Sequence, residues 1–367
     1  MDRNRNIGRI VSIPSLARAV TDTQSPKVAN VPKFPGIIGT FMGRDALSLV
    51  TSCLNLGIHD TVLLPVYTCQ EVLKSFTRRA KVIFYDVRPD LTIDPETIRT
   101  HLKRGGVRMV LITDYFGFLQ PYRGEIRQIC DEHGACLVED CAHSLLTTGS
   151  GKVGGFAVYS LRKILPIPDG GGLRVNQEGI TVSPEFYPRI YSNMLSLTAI
   201  AKARLNIHTE MLSRARICSH ASKVTSPANL PKELARTLPL SSFAHSRIVS
   251  MSLAEVTENR RADFRFWQEV SSRNPSIVPV LPSLPDGVCP FGFHVRVKNS
   301  AAFEAVARKA GIHLGVHWRL DTQLGTECTT SHGLSRQIVT LPLYPYLSDW
   351  ERESLARIVI ADWRQCA

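Results

Sequence analysis

The chain of 367 residues contains no uncharged run of about 18 apolar residues, so no segment reads as a membrane-spanning helix. Its first thirty residues are basic but have no continuous apolar core, and so do not read as a secretory signal. Aromatic residues are scarce at 7%, and the nine cysteines form an odd set with no C-x-x-C pair. Neither a zinc ribbon nor a complete disulfide framework is suggested, and a reduced, cytoplasmic setting is expected. Internal repeats and low-complexity tracts are also missing.

What is present is an ordinary globular composition, with 44% apolar and 21% charged residues. A chain of this length buries about three quarters of the surface its unfolded form exposes, so it needs no metal or disulfide staple. The net charge is +12, which favours anionic partners such as phosphates and nucleotides without choosing among them.

Between residues 44 and 175 helical periodicity alternates with short β-rich runs, the pattern of strands joined by crossover helices. The expected strands are 61–66, 81–87, 108–115, 135–140, 157–161 and 172–175. This predicts an α/β fold whose large domain has a mainly parallel sheet flanked by helices. In such sheets the strand ends face the ligand crevice, so Tyr67, Asp114, Asp140 and the residues after Ser160 are where chemistry is expected.

Four regions follow from composition. Residues 1–30 form a basic tail, and 31–183 the large domain. Residues 184–253 are poor in strand signals and read as helices and loops covering the large domain or a subunit interface. Residues 254–367 form a smaller α/β domain, with strands at 293–297 and 315–318 and helices from Ala254 and at 301–310 and 348–362. Between Ala201 and Arg236 there are seven Lys or Arg against two Glu. Apolar positions from Leu197 to Ala215 follow helical spacing, which favours a helix packed on its own domain over one lying on a membrane surface.

The most informative segment is Val138-Glu139-Asp140-Cys141-Ala142-His143-Ser144, a hydrophobic strand that ends in an acid, with a histidine three residues on. Alone it is unremarkable, since an Asp at a strand end is more often a turn or a cap. About twenty residues later, however, Lys163 precedes the turn Asp169-Gly170-Gly171-Gly172. Upstream, Gly39-Thr40-Phe41-Met42-Gly43-Arg44-Asp45 leads into a helix whose free N–H groups suit an anion. A carboxylate for a pyridinium nitrogen, a lysine for an imine and a glycine turn for a phosphate are together the parts needed to hold pyridoxal phosphate.

The order of these motifs resembles the DegT/StrS family of pyridoxal-phosphate-dependent sugar aminotransferases, of the aspartate-aminotransferase fold (fold type I). Gly43-Arg44-Asp45-Ala46-Leu47 resembles the family's Gly-Thr-Ala-Ala-Leu phosphate turn, and Glu139-Asp140-Cys141-Ala142-His143 its Glu-Asp-Ala-Ala-Gln/His signature. Lys163 with Asp169-Gly170-Gly171 resembles the Schiff-base lysine followed by Glu-Gly-Gly, and Val316-His317-Trp318 and 341–345 resemble weaker landmarks. The resemblance implies Lys163 as the Schiff-base lysine and proton carrier, Asp140 at the pyridine nitrogen and His143 near the phenolic oxygen. It implies a phosphate turn at Gly43, Arg44 and Asp45, with Ser160 as a further phosphate ligand.

Three departures accompany it. Ser160 precedes Lys163 by three residues, where most of the family has five. The position of the ring-stacking aromatic is held by Cys69, with Tyr67 two residues before it, and either could cover the ring. The family's Asn-x-Arg segment has no counterpart in the basic stretch. The implied activity is transfer of an amino group from a donor such as glutamate to a keto group, foremost on a nucleotide-linked sugar, by a homodimer. The alternatives are a keto-cyclitol or non-sugar ketone acceptor, or a non-catalytic binding protein of the same fold. Family dehydratases replace the lysine with histidine, so Lys163 argues against that branch. Nucleic acid is not an expected partner, because neither zinc-finger spacing nor an aromatic-rich basic strand is present.

Overall fold

The computed structural model describes residues 30–77, 79–180, 182, 184–209, 236–309, 314–343, 345 and 349–360, with residues 201–209 and 236 described by their backbone alone. The basic tail, apart from Asn30, and all of the basic stretch 201–236 therefore lie outside the described side chains, as do Cys218 and Cys366.

The central sheet is built from β1 (Ile37–Thr40), β2 (Thr61–Pro65), β3 (Lys81–Tyr85), β4 (Val107–Thr113), β5 (Cys136–Asp140), β6 (Phe156–Tyr159) and β7 (Gly171–Val175), in the order β1-β7-β6-β5-β4-β2-β3. The pairs β2–β3, β2–β4, β4–β5 and β5–β6 are parallel, and β6–β7 and β1–β7 are antiparallel. Its central strands are sheathed on both faces, so Leu111, Ile112, Leu137, Val138 and Phe156 are all buried. The helices α1 (Gly43–Cys53), α2 (Gln70–Phe76), α3 (Pro95–Lys103), α4 (Arg123–Glu132) and α5 (Leu161–Ile164) connect these strands. The start of α3 is marked locally: Pro95 takes the first helical position, where no N–H is needed, and the Asp94 side chain caps the Glu96 amide at 3.1 Å.

Beyond the sheet come β8 (Glu185–Phe186), α6 (Arg189–Thr209), β9 (Arg236–Thr237), α7 (Ser242–Ser250) and α8 (Leu253–Ser272). A three-stranded antiparallel sheet of β10 (Val278–Pro279), β11 (Phe293–Arg296) and β12 (Ile338–Leu341) follows, with α9 (Ser300–Lys309), α10 (Thr329–Gln337) and α11 (Asp349–Ile360). Its core packs Phe264 and Trp267 of α8 against Phe293, Val339, Phe303 and Leu355.

Several expectations need correction. Residues 315–318 are not a strand: Gly315 makes one isolated bridge to Thr340, and His317 and Trp318 turn away to pack against aromatic side chains of the large sheet's loops. The strand expected to reach Leu161 stops at Tyr159, because the chain turns at Ser160 so that the Lys163 amide donates to the Ser160 carbonyl at 3.2 Å. The region from 184 is not free of strands, since β8 pairs with β9 in parallel; two-residue strands carry no periodicity to read. The edge strand β1 was not anticipated either. It pairs Thr40 with Gly171, where a Cβ on that glycine would lie 2.2 Å from the Met42 carbonyl oxygen, so only glycine lets the two segments meet.

Asp169 ties these parts together. Fully buried, it accepts the Ser241 amide at 3.0 Å and the hydroxyls of Ser241 and Ser196 at 2.5 and 2.6 Å, which fixes the start of α7 and the middle of α6 to the glycine turn before β7. Asp169→Ala strands those donors, and a loss of about 2–3 kcal/mol in unfolding free energy is expected from denaturant titration.

Candidate active site

The side chains singled out from the sequence meet at the carboxyl ends of β5 and β6. Asp140, the last residue of β5, is buried and takes the Ala142 amide on its Oδ1 at 3.0 Å. Burial pushes its carboxyl above the usual range, while the charge on Lys163 pulls it back. His143 is buried, and its Nε2 lies 3.0 Å from Lys163 Nζ on the short helix α5. Burial, followed by the cationic Lys163, pushes the imidazole pKa of His143 well below its ordinary value. The ring is therefore neutral at physiological pH. Lys163 itself is half-buried, with the Phe291 ring centroid 6.0 Å from Nζ.

The glycine turn and Ser160 also come together. Gly43 opens α1, and a Cβ there would sit 3.2 Å from the Tyr159 carbonyl oxygen and 3.6 Å from the Ser160 Cβ. The amino end of α1 therefore rests on the residue that precedes α5, so that the positive end of a helix dipole and a hydroxyl share one corner. Arg44 directs Nη1 to Glu71 Oε2 at 2.9 Å. Asp45 bends back to cap its own helix, accepting the Met42 amide on Oδ2 at 2.8 Å. Desolvation pushes its carboxyl up to about 6, against the Arg44 charge and the Met42 amide.

The two candidates for covering a ring part company. Tyr67 is buried, its ring 5.5 Å from Trp318 and 5.7 Å from Tyr115, with its hydroxyl donating to the His317 carbonyl. Cys69 is half-buried at the start of α2 and packs in the cluster around Leu47, Leu64 and Phe76.

The structure adds neighbours that motif reading did not single out. Phe291 lies parallel to the His143 ring at 4.1 Å, and Trp318 is stacked at 5.5 Å. Phe116, from the single turn Tyr115–Gly117 after β4, donates its amide to His143 Nδ1 at 3.4 Å. His317 stands edge-on to His143 at 5.9 Å with its Nδ1 2.9 Å from Thr340 Oγ1, and desolvation, then Lys163, push its pKa down to about 3. Phe116, Phe291 and His294 have no local signal, because fold and not spacing brings them to His143.

Behind Asp140 lies a second polar layer. Asp114 accepts the Gln120 amide at 3.0 Å and the Ser144 hydroxyl at 3.0 Å, with Cys141 Sγ 3.6 Å from its Oδ2. Burial and then the Glu139 charge push its carboxyl up to about 7.

Residues 33–179 match the model of the DegT/DnrJ/EryC1/StrS aminotransferase family. Over that segment the chain is similar to this family. The DegT/DnrJ/EryC1/StrS segment contains Gly43, Tyr67, Cys69, Asp140, His143, Ser160 and Lys163. The chain is 27% identical over 147 residues to GDP-perosamine synthase of Vibrio cholerae, a match covering 38% of this chain and 40% of that protein. It is 28% identical over 137 residues to L-glutamine:2-deoxy-scyllo-inosose aminotransferase of Streptomyces kanamyceticus, covering 35% and 32%. The matches thus span less than half of either relative. The structure of NtdA from Bacillus subtilis with bound cofactor PMP superposes with a TM-score of 0.65 at 15% identity, covering 97% of this chain and 84% of that one. That likeness shows a shared fold across the DegT-type segment and beyond it, the type I fold of pyridoxal-phosphate aminotransferases.

The raised Asp114 carboxyl has a defined consequence for stability. A folded-state value of about 7 against 3.8 unfolded means that the native chain binds the extra proton, so this residue's contribution falls as pH rises from about 4 to 7. Asp114→Asn keeps the amide-carbonyl bond without the charge. Its stability relative to the parent should improve by up to about 4 kcal/mol across that range and level off above it, checked by denaturant unfolding at stepped pH.

Proposed function

We propose that the chain is a pyridoxal-phosphate-dependent aminotransferase that moves an amino group from a donor such as glutamate to a keto group on a sugar or sugar-like ring, foremost a nucleotide-linked keto-sugar. The observation that carries this reading is the 3.0 Å approach of Lys163 Nζ to His143 Nε2 beside the buried Asp140 carboxylate. These groups fit the cofactor by their chemistry, and the Gly43–Ser160 corner is a cradle that a Cβ at position 43 would crowd. When bound, pyridoxal phosphate supplies an electron sink for a carbanion next to nitrogen.

The roles of the chain's own residues follow. Lys163 would hold the cofactor through Nζ, and its amine would carry a proton at the reacting carbon. Asp140, kept from water, offers a carboxylate to the ring nitrogen and keeps it protonated. His143 would serve the phenolic oxygen through Nε2. The first amides of α1 at Gly43, Arg44 and Asp45, together with the Ser160 hydroxyl, take the phosphate. The Asp45 carboxylate is unfavourable there, and its cap to Met42 and raised pKa soften it. Tyr67 supports the site from behind through Trp318, whereas Cys69 packs in the cluster around Leu47, Leu64 and Phe76.

The cyclitol reading stays open beside the sugar one, because one of the two relatives bears the name of an inosose aminotransferase and the other that of a nucleotide-sugar enzyme. No helix among the described residues is long and apolar enough to cross a membrane. The reading adds a homodimer, a cytoplasmic location, and small molecules rather than nucleic acid as partners.

The purified protein should show a visible absorption band with pyridoxal phosphate that borohydride bleaches, with the label mapping to Lys163 by peptide mass. A colourless protein that the cofactor cannot reconstitute would sink the proposal. Lys163→Ala should hold the cofactor only non-covalently and show no turnover. Asp140→Asn should cost several orders of magnitude in single-turnover rate, and an unchanged rate would mean that another carboxylate faces the ring.

A further inference from the structure

His143 makes two contacts through its ring nitrogens, and they are not independent. The Phe116 amide points at Nδ1 at 3.4 Å, and Nε2 faces Lys163 Nζ at 3.0 Å. A backbone N–H can only donate, so Nδ1 must present a lone pair. A neutral imidazole with a bare Nδ1 carries its proton on Nε2. We propose that the Phe116 amide fixes His143 as the Nε2–H tautomer, so that the side chain offers a hydrogen-bond donor to the reacting edge of the site. Phe116 is then a positioning residue that acts through His143.

The turn that aims this amide is held unusually firmly. Phe116 is fully buried with φ +60° and ψ 19°, a left-handed conformation that a bulky residue adopts only when its surroundings impose it. The surroundings are identifiable. Phe291 donates its amide to the Phe116 carbonyl at 2.8 Å, and Thr147 Oγ1 donates to the Gly117 carbonyl at 2.7 Å. Gly117 has φ +100° and lies so close to the 289–291 backbone that a Cβ would be 2.4 Å from the Cys289 carbonyl oxygen. That backbone is gripped in turn by Arg260, buried in α8, whose Nε donates to the Pro290 carbonyl at 2.8 Å and whose Nη2 donates to the Phe291 carbonyl. Two segments far apart in sequence therefore clamp one amide in place.

The direction of the proton matters for the site. An Nε2–H complements an oxygen that carries developing negative charge, and it bonds Nζ across the 3.0 Å contact only when Lys163 has given up its proton; while Lys163 carries the charge that depresses the His143 pKa, the two N–H groups face each other without bonding. The opposite tautomer would turn a lone pair toward the lysine and leave the Phe116 amide facing an N–H. This consequence rests on the aminotransferase reading, whereas the tautomer itself is a property of the chain alone.

The test is nitrogen NMR on protein labelled with ¹⁵N-histidine, with His143 assigned by the signal lost in His143→Gln. The expected result is a bare Nδ1 and a protonated Nε2, both in the parent and in Lys163→Ala. A proton on Nδ1 in the parent overturns the proposal. So does a switch to mixed tautomers in Lys163→Ala, because the lysine rather than Phe116 would then set the state. Neither result depends on cofactor or substrate, so failure of the aminotransferase reading would show separately in the borohydride experiment. Rescue gives a second readout: a Gln at 143 can accept from Phe116 and still donate, whereas a Glu can only accept. Covalent capture of pyridoxal phosphate at Lys163 should be about tenfold or more faster in His143→Gln than in His143→Glu, and equal rates overturn the role.

Discussion

The imidazole of His143, 3.0 Å from the Lys163 amine, is held in its neutral form first by burial and then by the charge on that lysine. Much of the architecture serves that burial. The Phe291 ring lies flat on one side of His143, and Trp318 is stacked within 5.5 Å. Val138 and Val158, in the strands that end at the site, are buried, as is Leu161 at the start of α5. A polar group at the end of a central parallel strand is therefore both held rigidly and desolvated, which is why carboxylate and imidazole pKa values here move toward the neutral forms.

Desolvation is offset because each of the buried carboxylates takes at least one local donor. Asp140 has the Ala142 amide, Asp114 the Gln120 amide and the Ser144 hydroxyl, and Glu139 the amides of Val153 and Gly154 at 2.8 and 2.7 Å. Consecutive residues of one strand thus divide their tasks. Glu139 braces the loop before β6, while Asp140 faces the crevice. The glycines work in the same sense, permitting close approach where β1, β7 and the start of α1 converge.

The two sheets are coupled through aromatic and imidazole side chains. Trp318 reaches Tyr67, Tyr115, Phe116 and His143, and His294 stacks on Phe116. Since Phe291, His294, His317 and Trp318 all follow α8, the C-terminal part of the chain forms one wall of the site rather than a detached appendage. Substitutions in that wall would act on His143 through packing, without touching the motifs of the large sheet.

What the sequence determined by itself is the set of groups whose chemistry depends on short spacing. Short β-rich apolar runs ending in Asp140 and Tyr159, a lysine three residues past Ser160 and a glycine turn ahead of α1 are local patterns, and local patterns fix strand, turn and cap. The α/β class and the meeting of Asp140, His143 and Lys163 were legible on those grounds. Only the tertiary structure decided that Tyr67 turns inward, that residues 315–318 leave the sheet, and that β1 closes its edge. It also decided the tautomer-setting contact of Phe116 with His143 and the clamp from Arg260, because these depend on packing between segments separated by 27 to 31 positions or more. Sequence periodicity records which face of an element is apolar. Which distant side chain meets that face is settled only when the whole core closes.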